Sequence, residues 1–281
     1  MRVQLTGARV FLMCGSAFAP PSGSHLPWHG PLAEFARPAA DAPPVRLPRN
    51  ISHMVMKLEK VVPFGRSMDE YRSMFALSDG DLNQKTIGVG DGPASFNAEM
   101  SALGKSVVSI DPAYVFSGEE IEKQFYSVVD NIITQVKTTP ADWVWSYHKS
   151  PDHLRENRIK VLKRFIADYD NGRAEGRYVA GELPNLDLNG HTFDLALCSH
   201  FLFLYSDHLT YEFHRASVLK MLSLASEVRI FPLLTLMLKP SPHVSPLIEE
   251  LESNGFSVSV EKVSYELQRG GNEMLRIQRA A

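Results

Sequence analysis

The chain has 281 residues, 44% of them apolar and 22% charged, with a formal net charge of −3 and a pI near 6.4. That is the balance of a globular protein; it supplies no global basic field for nucleic acid, and no apolar run approaches the roughly 18 residues of a membrane span. Cys14 and Cys198, the only two cysteines, argue against a disulfide framework and fit a reducing compartment, so the expected location is cytoplasmic.

The chain divides in two by composition. Eight of its eighteen prolines fall in the first fifty residues, among Ala, Gly, Ser and Arg, and no helical or strand period persists there. Residues 1–52 therefore read as a disordered Pro/Ala-rich tail. A signal peptide is one alternative, with Arg2, the apolar stretch "VFLMCGSAFA" and an A-x-A site at Ala17-Phe18-Ala19; Arg9 and the shortness of the apolar run weigh against it. Another is that translation starts at Met54 or Met56. Residues 53–281 read as the folded domain.

Within it, "SMDEYRSMFAL" at 67–77 sets Met68, Tyr71, Met74 and Phe75 at helical spacing, with Ser67 and Glu70 in a capping-box pattern. "KTIGVG" reads as a short buried strand entering a glycine turn, and "ASFNAEMSALG" as a helix ending at Gly104. "KSVVSID" is a second strand closed by Asp111. Residues 117–171 then read as a helical insertion, since a crossover of more than sixty residues exceeds what a parallel connection needs. Its first stripe is Ile121, Phe125, Val128, Val129, Ile132, Ile133 and Val136. Its second is Leu154, Val161, Leu162, Phe165, Ile166 and Tyr169, and "TTPADWVWSYHKSP" connects the two. "GRYVAGE" and "TFDLALCSH" are the third and fourth strands; "LTYEFHRASVLKMLSLAS" is a helix and "EVRIFPLL" a fifth strand. After the helix "SPLIEELESNG", "FSVSVEKVSYEL" and "NEMLRIQR" form an antiparallel pair joined through "QRGG". The order strand, glycine turn, helix, strand, acid is half of a nucleotide-binding α/β sheet.

The turn "TIGVGDGPASFNAEM" (86–100) concentrates three glycines and a proline where a ligand could lie against backbone N–H groups. A dinucleotide fingerprint needs a third glycine or alanine, and the two possible alignments place Pro93 or Ser95 there. A P-loop is excluded, because no Lys-Ser/Thr follows at the required spacing.

The turn resembles motif I of class I S-adenosylmethionine-dependent methyltransferases, an acid-x-G-x-G-x-G pattern. Gly90-Asp91-Gly92-Pro93-Ala94 matches its glycine part, with Ala94 for the last glycine and Gly88 where the family has an acid. Asp111, nineteen residues after Gly92, stands where the family has the acid that holds the ribose hydroxyls. "AGELPNLDLNGHTFDLALCSHFLF" resembles a later family stretch, by which Glu182 and Leu183 flank the adenine and Ser199-His200 lie near the reacting methyl. The match covers roughly residues 64–278. It implies a Rossmann-like, mostly parallel seven-stranded sheet with an antiparallel last strand. It also implies S-adenosyl-L-methionine as cofactor, and methyl transfer to a small or medium acceptor. The residues expected at the cofactor are Gly88, Gly90, Asp91, Gly92, Asp111, Glu182, Leu183 and Ser199.

If the acceptor must lose a proton, His200 is the first candidate base, followed by His208 and Tyr147. Each has a plainer reading: Asp111 as a helix cap, Glu182 as a solvated charge, His200 as a satisfied strand-end histidine, His208 as part of the start of a helix. Arg155, Arg158, Lys160, Lys163 and Arg164 read as the solvated face of an amphipathic helix, with an anionic substrate as the alternative. Trp143, Trp145 and Tyr147 either line an acceptor pocket or lock the insertion onto the sheet. No histidine or cysteine spacing suggests a metal site. A small-molecule acceptor is expected rather than nucleic acid. The rival functions are a non-catalytic S-adenosylmethionine-binding regulator, an NAD-dependent oxidoreductase and aminopropyl transfer, the last lacking a paired-acid signature.

Overall fold

The computed structural model describes residues 64–186, 188, 190 and 192–280. The readings of residues 1–52, and the boundary at 53, lie outside these. The elements run α1 (Met68–Met74), β1 (Thr86–Val89), α2 (Phe96–Ala102), β2 (Val107–Ile110), α3 (Gly118–Thr138), α4 (Pro151–Ala174) and β3 (Tyr178–Val179). Then come β4 (Phe193–Ser199), α5 (Tyr211–Leu224), β5 (Ala225–Phe231), α6 (Val244–Ser253), β6 (Phe256–Lys262) and β7 (Glu273–Arg279). Four of these helices, α1, α3, α4 and α5, start where side-chain oxygens take free N–H groups. Ser67 and Ser117 form capping boxes with Glu70 and Glu120, and Ser150 and Thr210 cap α4 and α5.

Seven strands form one sheet in the order β3-β2-β1-β4-β5-β7-β6. β3, β2, β1, β4 and β5 are parallel, whereas β7 runs antiparallel between β5 and β6. Strand β4 displays the two-residue alternation that such a sheet requires. Leu195 and Leu197 join the cluster of α1–α4, which includes Tyr71, Phe96, Phe125 and Leu162. Ala196 and Cys198 face the other cluster, with Val218 and Met221 of α5 and Leu247 and Leu251 of α6.

The helical insertion lies between β2 and β3, as the sequence implied. Tyr114, Ile121, Phe165, Tyr169 and Tyr178 pack together and hold α3 and α4 against the β3 edge. The boundaries of β3, β5 and β6 differ from the sequence reading, β6 ending at Lys262 rather than running on to Leu267. β3 is confined to Tyr178 and Val179, which pair with Ser109 and Ile110 before the chain turns at 183–184. β5 begins directly after α5, at Ala225 rather than Glu227, because Ala225 already pairs with Phe193.

Candidate active site at the carboxyl ends of β1, β2 and β4

The glycine turn is held by its neighbours rather than by its own length. The Gly90 N–H donates to the Ile110 carbonyl at 2.8 Å, carrying the β1–β2 pairing one residue past the strand. Gly90 has φ +75°, and a Cβ there would lie 3.2 Å from that of Phe201, so glycine is required on both counts. Gly92 has φ +54°, but nothing lies within 4 Å of where its Cβ would be. The turn is thus closed on the Gly90 side and open at Gly92.

Asp111 closes β2 and faces that opening. Its Oδ2 accepts the Gly92 N–H and its Oδ1 the Ala113 N–H, each at 2.8 Å. Each carboxylate oxygen still has a lone pair for a further donor. The side chain also caps the short helical turn Pro112–Val115, so its plain reading and its site reading coexist. Burial raises its pKa, against the pull of the two N–H groups.

Asp91 turns inward. The residue is 5% exposed, and its carboxylate accepts the Tyr71 hydroxyl at 2.6 Å and the Ser109 hydroxyl at 2.7 Å. A Cβ at position 88 would lie 1.9 Å from Asp91 Oδ2. Position 88 and the Asp91 side chain therefore compete for one space, and a carboxyl group fills it from three residues further along the chain. Burial pushes Asp91 up to about 6, opposed by the two hydroxyl donors and reinforced by Asp111.

Gly181 brings the next segment beside Asp111: its N–H donates to the Asp111 carbonyl at 3.4 Å. Leu183 is buried with Val89 and Ile110, while Glu182 stays partly exposed and bridges to Asn185. At the end of β4, the Ser199 hydroxyl lies 2.9 Å from His200 Nδ1. His200 adopts φ +52°, and its N–H donates to the Phe231 carbonyl at 2.6 Å.

His200 borders a group of side chains that sequence reasoning did not bring together. Glu70 is 0% exposed and Arg158 1%; their carboxylate and guanidinium meet through two bonds of 2.9 and 2.8 Å. Glu70 Oε1 also accepts the Tyr265 hydroxyl at 3.0 Å and lies 3.2 Å from His148 Nε2. The Tyr265 ring reaches His200 at 6.5 Å and Tyr147 at 5.2 Å between centroids. His200 and Tyr147 are thus brought to one place. His208 lies exposed on the turn that follows, its N–H bonded to the Tyr205 carbonyl.

The charges order the titrations. Glu70 stays well below the usual carboxylate range: burial opposes ionisation, but the Arg158 charge and the His148 and Arg158 hydrogen bonds outweigh it. His200 is driven well below 6.5 by burial and by the Arg66 and Arg158 charges. Tyr147 is pushed up to about 12 by burial and the Glu70 charge.

Arg158 does not belong to a solvated basic face. It falls in the stripe of Leu154, Val161 and Leu162, and that register was the signal that could have marked it as buried. Arg155, on the exposed side of α4, pairs with Asp130. Trp143 pairs with Gln268 in an isolated bridge and donates its indole N–H to Thr139. Arg269 donates to the Ala141 and Trp143 carbonyls. This anchors the connector to the β6–β7 loop, the locking role. Among the described residues no cluster of three or more His, Cys, Asp or Glu side chains could hold a metal ion, and no helix is long and apolar enough to cross a membrane.

The strand order, with β7 antiparallel between β5 and β6, is the Rossmann-like, mostly parallel seven-stranded sheet with antiparallel last strand that the sequence resemblance implied. No protein-family model matches the chain. It is 31% identical over 225 residues to the uncharacterized protein MJ0045 of Methanocaldococcus jannaschii, a match that covers 80% of this chain and 99% of that protein. The chain belongs to the same family as that protein. Among solved structures it aligns with magnesium protoporphyrin IX methyltransferase of Synechocystis PCC 6803, with SAM bound. That alignment has 15% identity, covers 76% of this chain and 78% of the other, and has a TM-score of 0.41. The mitomycin 7-O-methyltransferase MmcR aligns at 14% identity over 76% of this chain and 54% of its own, TM-score 0.40. A ribosomal protein L11 methylase of Lactobacillus delbrueckii subsp. bulgaricus aligns at 14% identity over 70% and 71%, TM-score 0.34.

Proposed function

We propose that this protein is an S-adenosylmethionine-dependent methyltransferase. The observation that carries the reading is the pairing of Asp111 with the open side of the glycine turn. A carboxylate already tethered to the Gly92 N–H, beside a glycine with free space over it, suits an adenosyl ligand with a vicinal diol. In this reading Gly90 and Gly92 let the ligand approach the backbone, Asp111 holds the ribose hydroxyls, and Glu182 and Leu183 flank the adenine. The Asp91 carboxylate, which fills the space over Gly88, would offset the amino group's charge from beneath the turn without touching it. Ser199 and His200 face the reacting end.

S-Adenosylmethionine supplies a methyl group on a sulfonium, which is already a good leaving group. The protein's contribution is then mainly to hold the acceptor in line with that methyl; positioning of this kind can lower a barrier by about 7–11 kcal/mol. His200 is unprotonated at neutral pH. Its depressed pKa makes it a weak base, suited to orienting an acceptor more than to removing a firmly held proton.

The regulatory-binder alternative rested on the absence of a carboxyl at position 88, and Asp91 fills that space. An NAD-dependent oxidoreductase is disfavoured by Pro93, whose carbonyl packs against Gly65. Calorimetric titration of S-adenosylmethionine, S-adenosylhomocysteine and NADH into the full chain tests the reading, beside Asp111→Ala. Micromolar binding of both adenosyl compounds is expected. Loss of the Asp111 hydrogen bonds should weaken it by about 1.5–3 kcal/mol, or tenfold to more than a hundredfold. NADH binding without adenosyl binding would replace the methyltransferase by the oxidoreductase.

A further inference from the structure

Among the described residues, the cluster beside His200 has more positive charge than its partners neutralise. Arg66 and Arg158 both act on the one carboxylate of Glu70, and Arg158 already engages both of its oxygens. Arg66 Nε, Arg158 Nε and His148 Nδ1 are buried without hydrogen-bond partners. A buried donor in that state destabilises the fold unless something accepts from it. Arg158 is enclosed, but Arg66 is partly exposed, and among the described residues its Nη1 bonds to the Phe64 carbonyl.

Arg66 is also fixed in place. Gly65 packs on the Pro93 carbonyl so closely that a Cβ there would lie 2.0 Å from it. The Ser95 N–H donates to the Arg66 carbonyl at 3.1 Å. The residue is therefore laid across the glycine turn, while its charge reaches His200 at the end of β4. Its backbone is held against the glycine turn, and its side chain carries a buried Nε from which no group among the described residues accepts.

The same cluster is poorly equipped to remove a proton. His200 and His148 are both weak bases here, Tyr147 retains its proton, and the Glu70 oxygens are occupied. Among these four groups, a neutral acceptor that must be deprotonated finds no ready base. An acceptor that arrives as an anion needs none, and it brings the missing negative charge.

We propose that the acceptor is a carboxylic acid, bound as its carboxylate through Arg66 and methylated on a carboxylate oxygen to give the ester. The proposal rests on the methyl-transfer reading above. The oxygen forms the new bond to carbon, the carbon–sulfur bond breaks, and its electron pair stays on sulfur. One negative and one positive charge become two neutral products, and no proton moves. Arg66 holds one oxygen through charge-assisted hydrogen bonds while the other reacts.

Acetate is the probe, used with the full chain. It is titrated at constant ionic strength with and without saturating S-adenosylhomocysteine, and the His200 imidazole ¹⁵N resonances, assigned with His200→Gln, are followed. A saturable shift is expected in both conditions, with the His200 pKa raised when acetate is bound. Arg66→Gln should weaken acetate by at least about tenfold and Arg66→Lys by less, because lysine keeps the charge but loses the fork. Both variants should retain S-adenosylhomocysteine binding, which also reports that they fold. With ¹³C-methyl-labelled S-adenosylmethionine and saturating acetate, methyl acetate should accumulate, and more slowly in Arg66→Gln. No saturation, equal affinity in Arg66→Gln, or no ester at saturating acetate would overturn the proposal. So would exclusion of acetate by S-adenosylhomocysteine, which would assign Arg66 to the cofactor's own carboxylate. If acetate binds but S-adenosylhomocysteine does not, the methyl-transfer reading fails together with the ester step, and the Arg66 anion site stands alone.

Discussion

Asp91 and Glu70 are both buried carboxylates within the same half of the molecule, and they titrate in opposite directions. Asp91 under the glycine turn has only hydroxyl donors, from Tyr71 and Ser109, and burial prevails: its pKa rises to about 6. Glu70 faces the Arg158 guanidinium through two bonds, and the charge prevails: its pKa falls well below the ordinary value. Burial alone therefore does not decide the state of a carboxyl group. The charge of its partner does, because a dipole offsets only part of the cost of removing an anion from water.

The largest effect should come from breaking the charged pair. Arg158→Met or Glu70→Gln leaves an uncompensated buried charge and should destabilise the fold by about 3–5 kcal/mol in urea unfolding. The double variant should lose less than the sum. Full additivity would mean that the two residues do not act as a pair.

The pH dependence should carry opposite signs in the two regions. Asp91 has a folded pKa above its unfolded value near 4, so its contribution is complete below pH 4 and declines as pH rises through 6. The stability of the native protein relative to Asp91→Asn should therefore fall by about 2 kcal/mol between pH 4 and 7. Glu70, depressed when folded, contributes above its unfolded pKa and loses that contribution as pH falls into the acid range. Unfolding midpoints of native and variant chains across pH 3–8 would check both. Parallel curves for native and Asp91→Asn would contradict the assignment.

Gly88→Ala should cost about 1–3 kcal/mol by driving a methyl group into the Asp91 carboxyl. Gly88→Ala/Asp91→Ala should recover part of that loss. A Gly88→Ala chain of native stability would mean that the two positions do not share space. The smallest effect belongs to Arg155→Ala. This guanidinium is on the same helix as Arg158 but pairs with Asp130 in solvent, and its removal should leave the unfolding midpoint within measurement error.

Local patterns carried most of the architecture. Ser67 with Glu70, the alternation in "TFDLALCSH", the apolar stripe of α3 and the glycine turn each depend on residues within a few positions of one another, where spacing alone sets geometry. The same held for the placement of Asp111, which closes β2 beside the turn. The capping role of Glu70 was equally legible, since it acts through Ser67 three residues away. Its second role was not, because Arg158 is 88 residues along the chain and Tyr265 is 195.

The sequence by itself determined which segments became strands and helices, where the glycine turn falls and which acid stands next to it. These features follow from short-range sterics, capping and hydrophobic period. Only the tertiary structure decided that the Asp91 carboxyl occupies the space over Gly88, that Arg158 is enclosed rather than solvated, and that His200 and Tyr147 meet around Tyr265. Those outcomes depend on desolvation and on pairing between distant charges, and both come into being only when the insertion, α1 and the β6–β7 loop pack together.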